Sequence, residues 1–345
     1  MSSSDYVVFL VSAIQQEYDS SLLAVGGIKE LITSILGFEL KISAFAILNL
    51  DSPKIKDAQQ SYLSTKASLI KQFKSSYINV QHVSYIPVTI HGKGNILAPS
   101  KSMGWYTGSV LSDVVLKESL RPRASGPAVV RFSVSEVHRE PKVGVSVTGR
   151  LRAGTLSPSP EGLLICSPHS LVKLETIHVN GLPQAKMNEG ETGDLSLMIR
   201  EGTNTEINVG TVLAEPDSKD CTGTKEFTAK FFLDSKFVEK LIVYDTFTFH
   251  VDQQTFKAQI AHILHTFDAR SLKEVEVNPS AVKILPGVGF LANVDIIGRK
   301  YPTLTPQKEI SSLGRGIITN DEDRIIGYFY ITQTRNILDK PQEEH

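Results

Sequence analysis

"RPRASGP" occupies residues 121–127, and the pattern of apolar residues differs on its two sides. Before it, β-rich runs alternate with helical ones. "YVVFLVSA" (6–13) is a continuous apolar run of strand length, read as a strand buried on both faces. "GGIKELITSILGF" (26–38) follows, with Ile28, Leu31, Ile32, Ile35 and Leu36 on one helical stripe. Next come "ISAFAILNL" (42–50) with the amphipathic "KIKDAQQSYLSTKASLIKQFK" (54–74), then "VSYIPVTI" (83–90) with "SVLSDVVLKES" (109–119). Strict alternation predicts βαβ units on a parallel sheet, here three strands and three helices.

On the C-terminal side the helical periodicity is nearly gone. Short strand-like runs separated by turn residues follow one another, among them "AVVRFSVSEVH", "GVSVTGRLRAGTL", "GLLICSP", "VKLETIHV", "DLSLMIR" and "VGTVLAE". Such a series closes as a β-barrel or a sandwich. "PDSKDCTGT" (216–224) reads as a second linker, and a further all-β stretch runs from "EFTAKFFL" to "RIIGYFYI". The expected organisation is multidomain, α/β plus all-β. An α/β domain covers 1–122, one β-barrel 126–216, a second 222–337, and a flexible polar tail 338–345.

The 345 residues are 41% hydrophobic and 21% charged, ordinary globular values with length for two or three domains. Lys and Arg total 36 against 37 for Asp and Glu, so no global field draws the chain to nucleic acid or anionic lipid. Neither DNA nor membrane is expected as a partner. The start, "MSSSDYVVFLVSA", lacks a basic n-region, and no segment reaches membrane-spanning length. Cys166 and Cys221, the only cysteines, are far apart without metal-like or redox spacing. They read as free thiols in a reducing compartment rather than a disulfide, and a cytoplasmic location fits best.

No Gly-x-Ser-x-Gly elbow, His-Glu-x-x-His helix or Cys/His nucleophile arrangement occurs. His262 and His265, three apart in a predicted strand, point to opposite faces, so no metal site is expected. His91 in "IHGKGN" reads as a surface-loop histidine, and the acids of "NDEDR" (320–324) as solvated charge. "AILNLDSP" (46–53) ends a predicted strand, where Asp51 before Ser-Pro suits a turn or an N-cap for the helix at 54. Trp105 and Tyr106 read as packing residues. Arg121, Arg123, Arg131, Arg139, Lys142, Arg150 and Arg152 form the only local positive density, suited to RNA phosphates or merely to solubility.

Four stretches resemble the translational GTPase family, in its branch of elongation factor 1-alpha, eukaryotic release factor 3 and the ribosome-rescue GTPase that partners Pelota. "GGIKELITSILGF" is similar to the family's Gly-Gly-x-x-Arg-Glu helix start. "PVTIHGKGNILAPSKSMGWYTGSVL" (87–111) resembles its last G-domain strand and loop, with Gly94-Asn95, Pro99-Ser100, Met103 and Trp105-Tyr106-x-Gly108 in register. "VTGRLRAGTLSP" (147–158) with Gly193-Asp194 resembles the second domain's barrel signature, and "SSLGRGIITND" (311–321) the Leu-Gly-Arg turn of the third. The resemblance implies that Trp105 and Tyr106 pack the G domain against the next segment.

The departures from the family shape the expected chemistry. Nothing matches the P-loop G-x-x-x-x-G-K-[ST], and the switch threonine and the Asp-x-x-Gly turn with its water-positioning His are missing too. The resemblance therefore implies an incomplete P-loop-GTPase-like domain, its C-terminal half only, with no catalytic residue of its own. Its strand at Tyr6–Ala13 is expected as an uncovered sheet edge. Aligned on Asp51, the guanine-reading Asn-Lys-x-Asp becomes Leu48-Asn49-Leu50-Asp51, and Thr89 replaces the Ser of the second base loop. Asp51 and Thr89 are thus the residual cofactor-binding positions. GTP or GDP is expected only if the missing half is supplied, and otherwise no cofactor. The resemblance implies a non-catalytic binding or adaptor protein, a pseudo-GTPase of ribosome rescue, translation termination or mRNA surveillance. Its partner would be a Pelota-like or release-factor-like protein, exosome/Ski-type decay machinery, or the ribosome. The alternative is a C-terminal fragment of an active GTP-hydrolysing factor that delivers a tRNA or tRNA-like factor to the ribosome.

Overall fold

The computed structural model describes residues 4–337 apart from 23, 25, 77, 90–93, 121–128, 141–143, 160–161, 168–169, 200–205, 219–220, 235–239, 270, 272, 276–280 and 284–286. The run 121–127 and the tail 338–345 therefore lie outside the described residues. The chain divides into two compact units, the first ending at Pro122 and the second beginning at Arg123.

In the first unit β1 (Tyr6–Ser12), β2 (Lys41–Leu48) and β3 (Ser84–Pro87) form a parallel sheet in that order. Four helices, α1 (Gln15–Ser21), α2 (Ile28–Phe38), α3 (Ala58–Ser75) and α4 (Leu111–Ser119), are present among the described residues. The additional helix α1 is polar and buries only Tyr18, so no apolar stripe marks it in the sequence. Helix α2 buries Ile28, Ile32 and Ile35, with Leu31 and Leu36 partly covered. It ends where Glu39 turns left-handed at φ 51°. Helix α3 starts at Ala58 rather than 54, because the Asp57 carboxylate accepts the Gln60 N–H at 2.9 Å. Asp51 lies upstream in a turn and does not cap it.

One face of the sheet carries Phe9, Phe45 and Tyr85 in register, and Leu69 and Phe73 of α3 belong to the same core. The opposite face packs Ala44, Ala46, Ile86 and Val88 with Leu111 and Val114 of α4. Strand β1 is buried on one face only: Phe9 and Val11 are covered, while Leu10 is 65% exposed. Continuous hydrophobicity therefore overstates its burial, because among the described residues β1 pairs with β2 alone and forms a sheet edge.

The second unit holds two barrels. The first contains β4 (Arg131–Glu140), β5 (Gly144–Ala153), β6 (Thr155–Leu156), β7 (Leu163–Ile165), β8 (Ser170–Val179), β9 (Leu182–Gln184), β10 (Met187–Asn188), β11 (Thr192–Met198) and β12 (Val212–Ala214). Six of these form the ring β11-β5-β4-β12-β7-β8, closed by β8 pairing with β11. Phe132, Val134, Val147, Leu151 and Leu195 fill it.

The second barrel contains β13 (Thr224–Leu233), β14 (Lys240–Ile242), β15 (Thr246–Val251), β16 (Gln254–Asp268), β17 (Glu274–Val275), β18 (Ala281–Lys283), β19 (Val288–Ile297), β20 (Arg315–Thr319) and β21 (Ile325–Asn336). Its ring runs β15-β20-β21-β13-β19-β16 and closes through β15 and β16. Phe227, Phe231, Phe249, Phe290 and Phe329 occupy the interior. The alternation along β13 places Phe227, Ala229, Phe231 and Leu233 inward at every second residue, as a barrel wall requires.

Between the barrels, Ala153, Cys166, Val212 and Ala214 cluster with Cys221, Ile310 and Leu313. Arg152 of β5 forms a buried ion pair with Asp252, its Nε lying 3.0 Å from Oδ2. The end of the stretch 216–224 is no exposed tether, since Cys221, Thr222 and Thr224 are buried. Cys166 and Cys221 form a disulfide, contrary to the reading as free thiols. Their spacing of 55 residues gave no signal, because the fold itself brings the end of β7 beside the start of the second barrel.

Candidate functional site

The C-terminal ends of parallel strands in an α/β sheet open into the loops where such folds bind ligands. Here those ends are Ser12, Leu48 and Pro87. The Ser12 hydroxyl donates to Glu17 Oε2 at 2.7 Å and accepts the Ile14 N–H at 3.2 Å. Asn49 stands left-handed at φ 63°, and its Nδ2 donates to Ser12 Oγ at 3.1 Å and Glu17 Oε2 at 3.3 Å. Ser12, Glu17 and Asn49 thus form a hydrogen-bonded cluster across β1, α1 and β2. Sequence reading missed Ser12 and Glu17, since nothing in a polar seven-residue helix signals the contact.

Leu48 packs in the apolar cluster beneath α4, and Leu50 is buried in the core on the other face. Asp51, placed beyond them, is exposed. Thr89 is buried, with its Oγ1 accepting the Gly94 N–H at 3.2 Å. Asn95, left-handed at φ 58°, donates from Nδ2 to Pro87 O and accepts the Ser100 N–H, both at 2.8 Å. A side chain at Gly94 would meet Thr89 Oγ1 at 2.7 Å and Ser100 Oγ at 2.8 Å, so the close approach of this loop requires glycine. His91 lies outside the described residues. Trp105 and Tyr106 pack on Tyr62 of α3 with ring centroids 5.2 and 6.3 Å away, inside their own unit.

The residues present do not fit guanine as a set. The Asn49 amide is engaged by Ser12 and Glu17, the Thr89 hydroxyl is taken by Gly94, and Leu48 has no hydrogen-bonding group. Asp51 is exposed and keeps its carboxylate as an acceptor. Burial, then Tyr106, pushes Tyr62 up to about 12, and burial, then Tyr62, does the same for Tyr85, so neither phenol transfers protons near neutrality.

Of the positive density expected in the second domain, Arg131, Arg150 and the Arg152 side chain are buried, whereas Arg139 is exposed. Arg152 is consumed by Asp252, and Arg139 Nη2 donates to Ile207 O at 2.6 Å. The guanidinium groups of Arg131 and Arg152 serve internal hydrogen bonding, which net composition does not reveal. Arg121, Arg123 and Lys142 lie outside the described residues. Among the described residues no group of three or more His, Cys, Asp or Glu is arranged to hold a metal, and no helix is long and apolar enough to cross a membrane.

A parallel α/β unit followed by two closed six-stranded barrels is a fold that solved translation factors share. Elongation factor 1-alpha of Hyperthermus butylicus is 25% identical over 317 residues, covering 91% of this chain and 69% of that protein. The Ski7 GTPase-like domain of S. cerevisiae, solved with GDP and inorganic phosphate, matches with a TM-score of 0.74 at 11% identity, over 95% of this chain and 73% of that one. Elongation factor SelB of Methanococcus maripaludis in its apo form matches with a TM-score of 0.69 at 13% identity, over 97% of this chain and 66% of that one. The chain thus spans about two thirds to three quarters of the length of these proteins. No family model matches. Sequence likeness to elongation factor 1-alpha and fold likeness to these factors together support the translational GTPase family for this chain.

Proposed function

We propose that the chain is a non-catalytic binding or adaptor protein of the translation-factor type, acting in ribosome rescue, translation termination or mRNA surveillance. The observation that carries this reading is a contrast. Both barrels are closed and well filled, whereas the base-reading loops are tied into internal hydrogen bonds. Closed barrels present stable outer surfaces to a partner. The partner in this reading is a Pelota-like or release-factor-like protein, or decay machinery of the exosome/Ski type, met on or near the ribosome in the cytoplasm. GTP or GDP enters only if the P-loop half of a G domain is supplied.

The test combines sedimentation of the purified protein with ribosomes, with and without a Pelota-like or release-factor-like protein or an exosome/Ski-type complex, and a GTP hydrolysis assay on the same samples. The expected result is a stoichiometric complex with one of them and no hydrolysis above the ribosome background. Absence of every complex overturns the reading. Ribosome-stimulated hydrolysis by the protein overturns it in favour of an active tRNA-delivering or tRNA-like-factor-delivering GTPase.

A further inference from the structure

The disulfide between Cys166 and Cys221 joins the two barrels with the only cysteines the chain has. Cys166 directly follows β7 of the first barrel, and Cys221 precedes β13 of the second. Their Cα atoms are 5.0 Å apart, inside the range a disulfide spans without backbone movement. Each is held by its own backbone bond: the Cys166 N–H donates to Val212 O at 3.0 Å and the Cys221 N–H to Ser218 O at 3.1 Å. Both anchors are independent of the sulfur atoms, so each cysteine keeps its own backbone position in either redox state. Besides the Arg152–Asp252 pair, the packing around the sulfur atoms is made of few and mostly small side chains. Ala153, Val212 and Ala214 on one side are small, and Ile310 and Leu313 face them from the other.

We propose that Cys166 and Cys221 form a reversible redox clasp on the joint between the two barrels. Oxidation proceeds by exchange with a low-molecular-weight disulfide. One cysteine thiolate attacks it, a small thiol leaves, and the second cysteine thiolate displaces the other small thiol from the mixed disulfide. Two protein thiols are oxidised, two small thiols are produced, and the protons released by the cysteines pass to the departing thiolates. Two small thiols reverse the sequence.

The cysteines are 1% and 0% exposed, so attack from solvent requires the joint to open. Reduction therefore reports how often the barrels part, and oxidation fixes them together. Closing a 55-residue loop removes freedom from the open and unfolded chain, which raises the thermal midpoint of the barrel transition by roughly 5–10 °C.

The test equilibrates the purified chain with reduced and oxidised glutathione at a series of ratios, counts alkylated cysteines by mass spectrometry after denaturation, and melts each sample. The expected result is paired loss of both alkylation sites as the ratio turns oxidising, the stated rise in midpoint, and full reversal by dithiothreitol without denaturant. The variant C221A should show neither the paired loss nor the shift. Should C221A fail to fold, the redox pair of the unaltered chain still decides. Two alkylatable thiols at every ratio, or a disulfide that leaves the midpoint unchanged, overturns the clasp, as does a disulfide that dithiothreitol reduces only in denaturant.

Discussion

Arg152 and Asp252 meet with their side chains 6% and 1% exposed, and so the pair is worth most when considered as two desolvated charges. Removing one partner strands the other in a low-dielectric joint, which costs about 3–5 kcal/mol. D252N should lower barrel stability in urea unfolding by that amount, while the double variant R152M/D252L should regain most of it. His250 in β15 is the other residue whose chemistry reaches the whole barrel. Its Nδ1 lies 3.2 Å from Thr255 Oγ1 and its Nε2 3.0 Å from Thr319 Oγ1. Burial lowers its pKa, opposed by the charge of Asp323. The unfolded chain therefore takes up the proton first. The stability from neutral His250 is complete above its ordinary value of 6.5 and is lost as pH falls below that and through the folded value. Thermal melts from pH 8 down to about pH 5 should show this loss, and H250Q should flatten that part of the curve.

Helix α3 shows how much of an element is legible before its contacts are known. Its apolar spacing announces the helix, but its first residue is decided by Asp57, one of several acids and serines that suit a cap. Phe73 near its C-terminal end meets Phe9 of β1 and Phe45 of β2, with ring centroids 5.5 and 5.1 Å away. F73A should destabilise the first unit by about 3–5 kcal/mol and leave the barrel transition unmoved, read as separate steps in calorimetry. A preserved first-unit transition would show that its sheet does not depend on α3. Strand β1 illustrates the opposite limit. Its seven residues declare a strand, yet whether both faces are covered depends on neighbours that no local pattern reports.

At the scale of the molecule, the order of α/β unit and two β regions is legible because periodicity changes at fixed points along the chain. Ring closure, the inter-barrel ion pair and the Cys166–Cys221 contact are not, because each joins residues distant in sequence. That Asp51 and Thr89 follow β2 and β3 was legible from the strand pattern, but the cluster of Ser12 and Glu17 that holds Asn49 was not. In the second barrel β13 pairs with β21 across the full length of the domain, Thr224 reaching Asn336 over 112 residues. A nascent chain therefore makes β13 first and β21 last. Until Ile325–Asn336 has emerged, the ring stands open along one side of β13 and its phenylalanine lining faces solvent. Completion of this barrel therefore waits for β21, and the ring gains its closed outer surface only when that strand has joined β13.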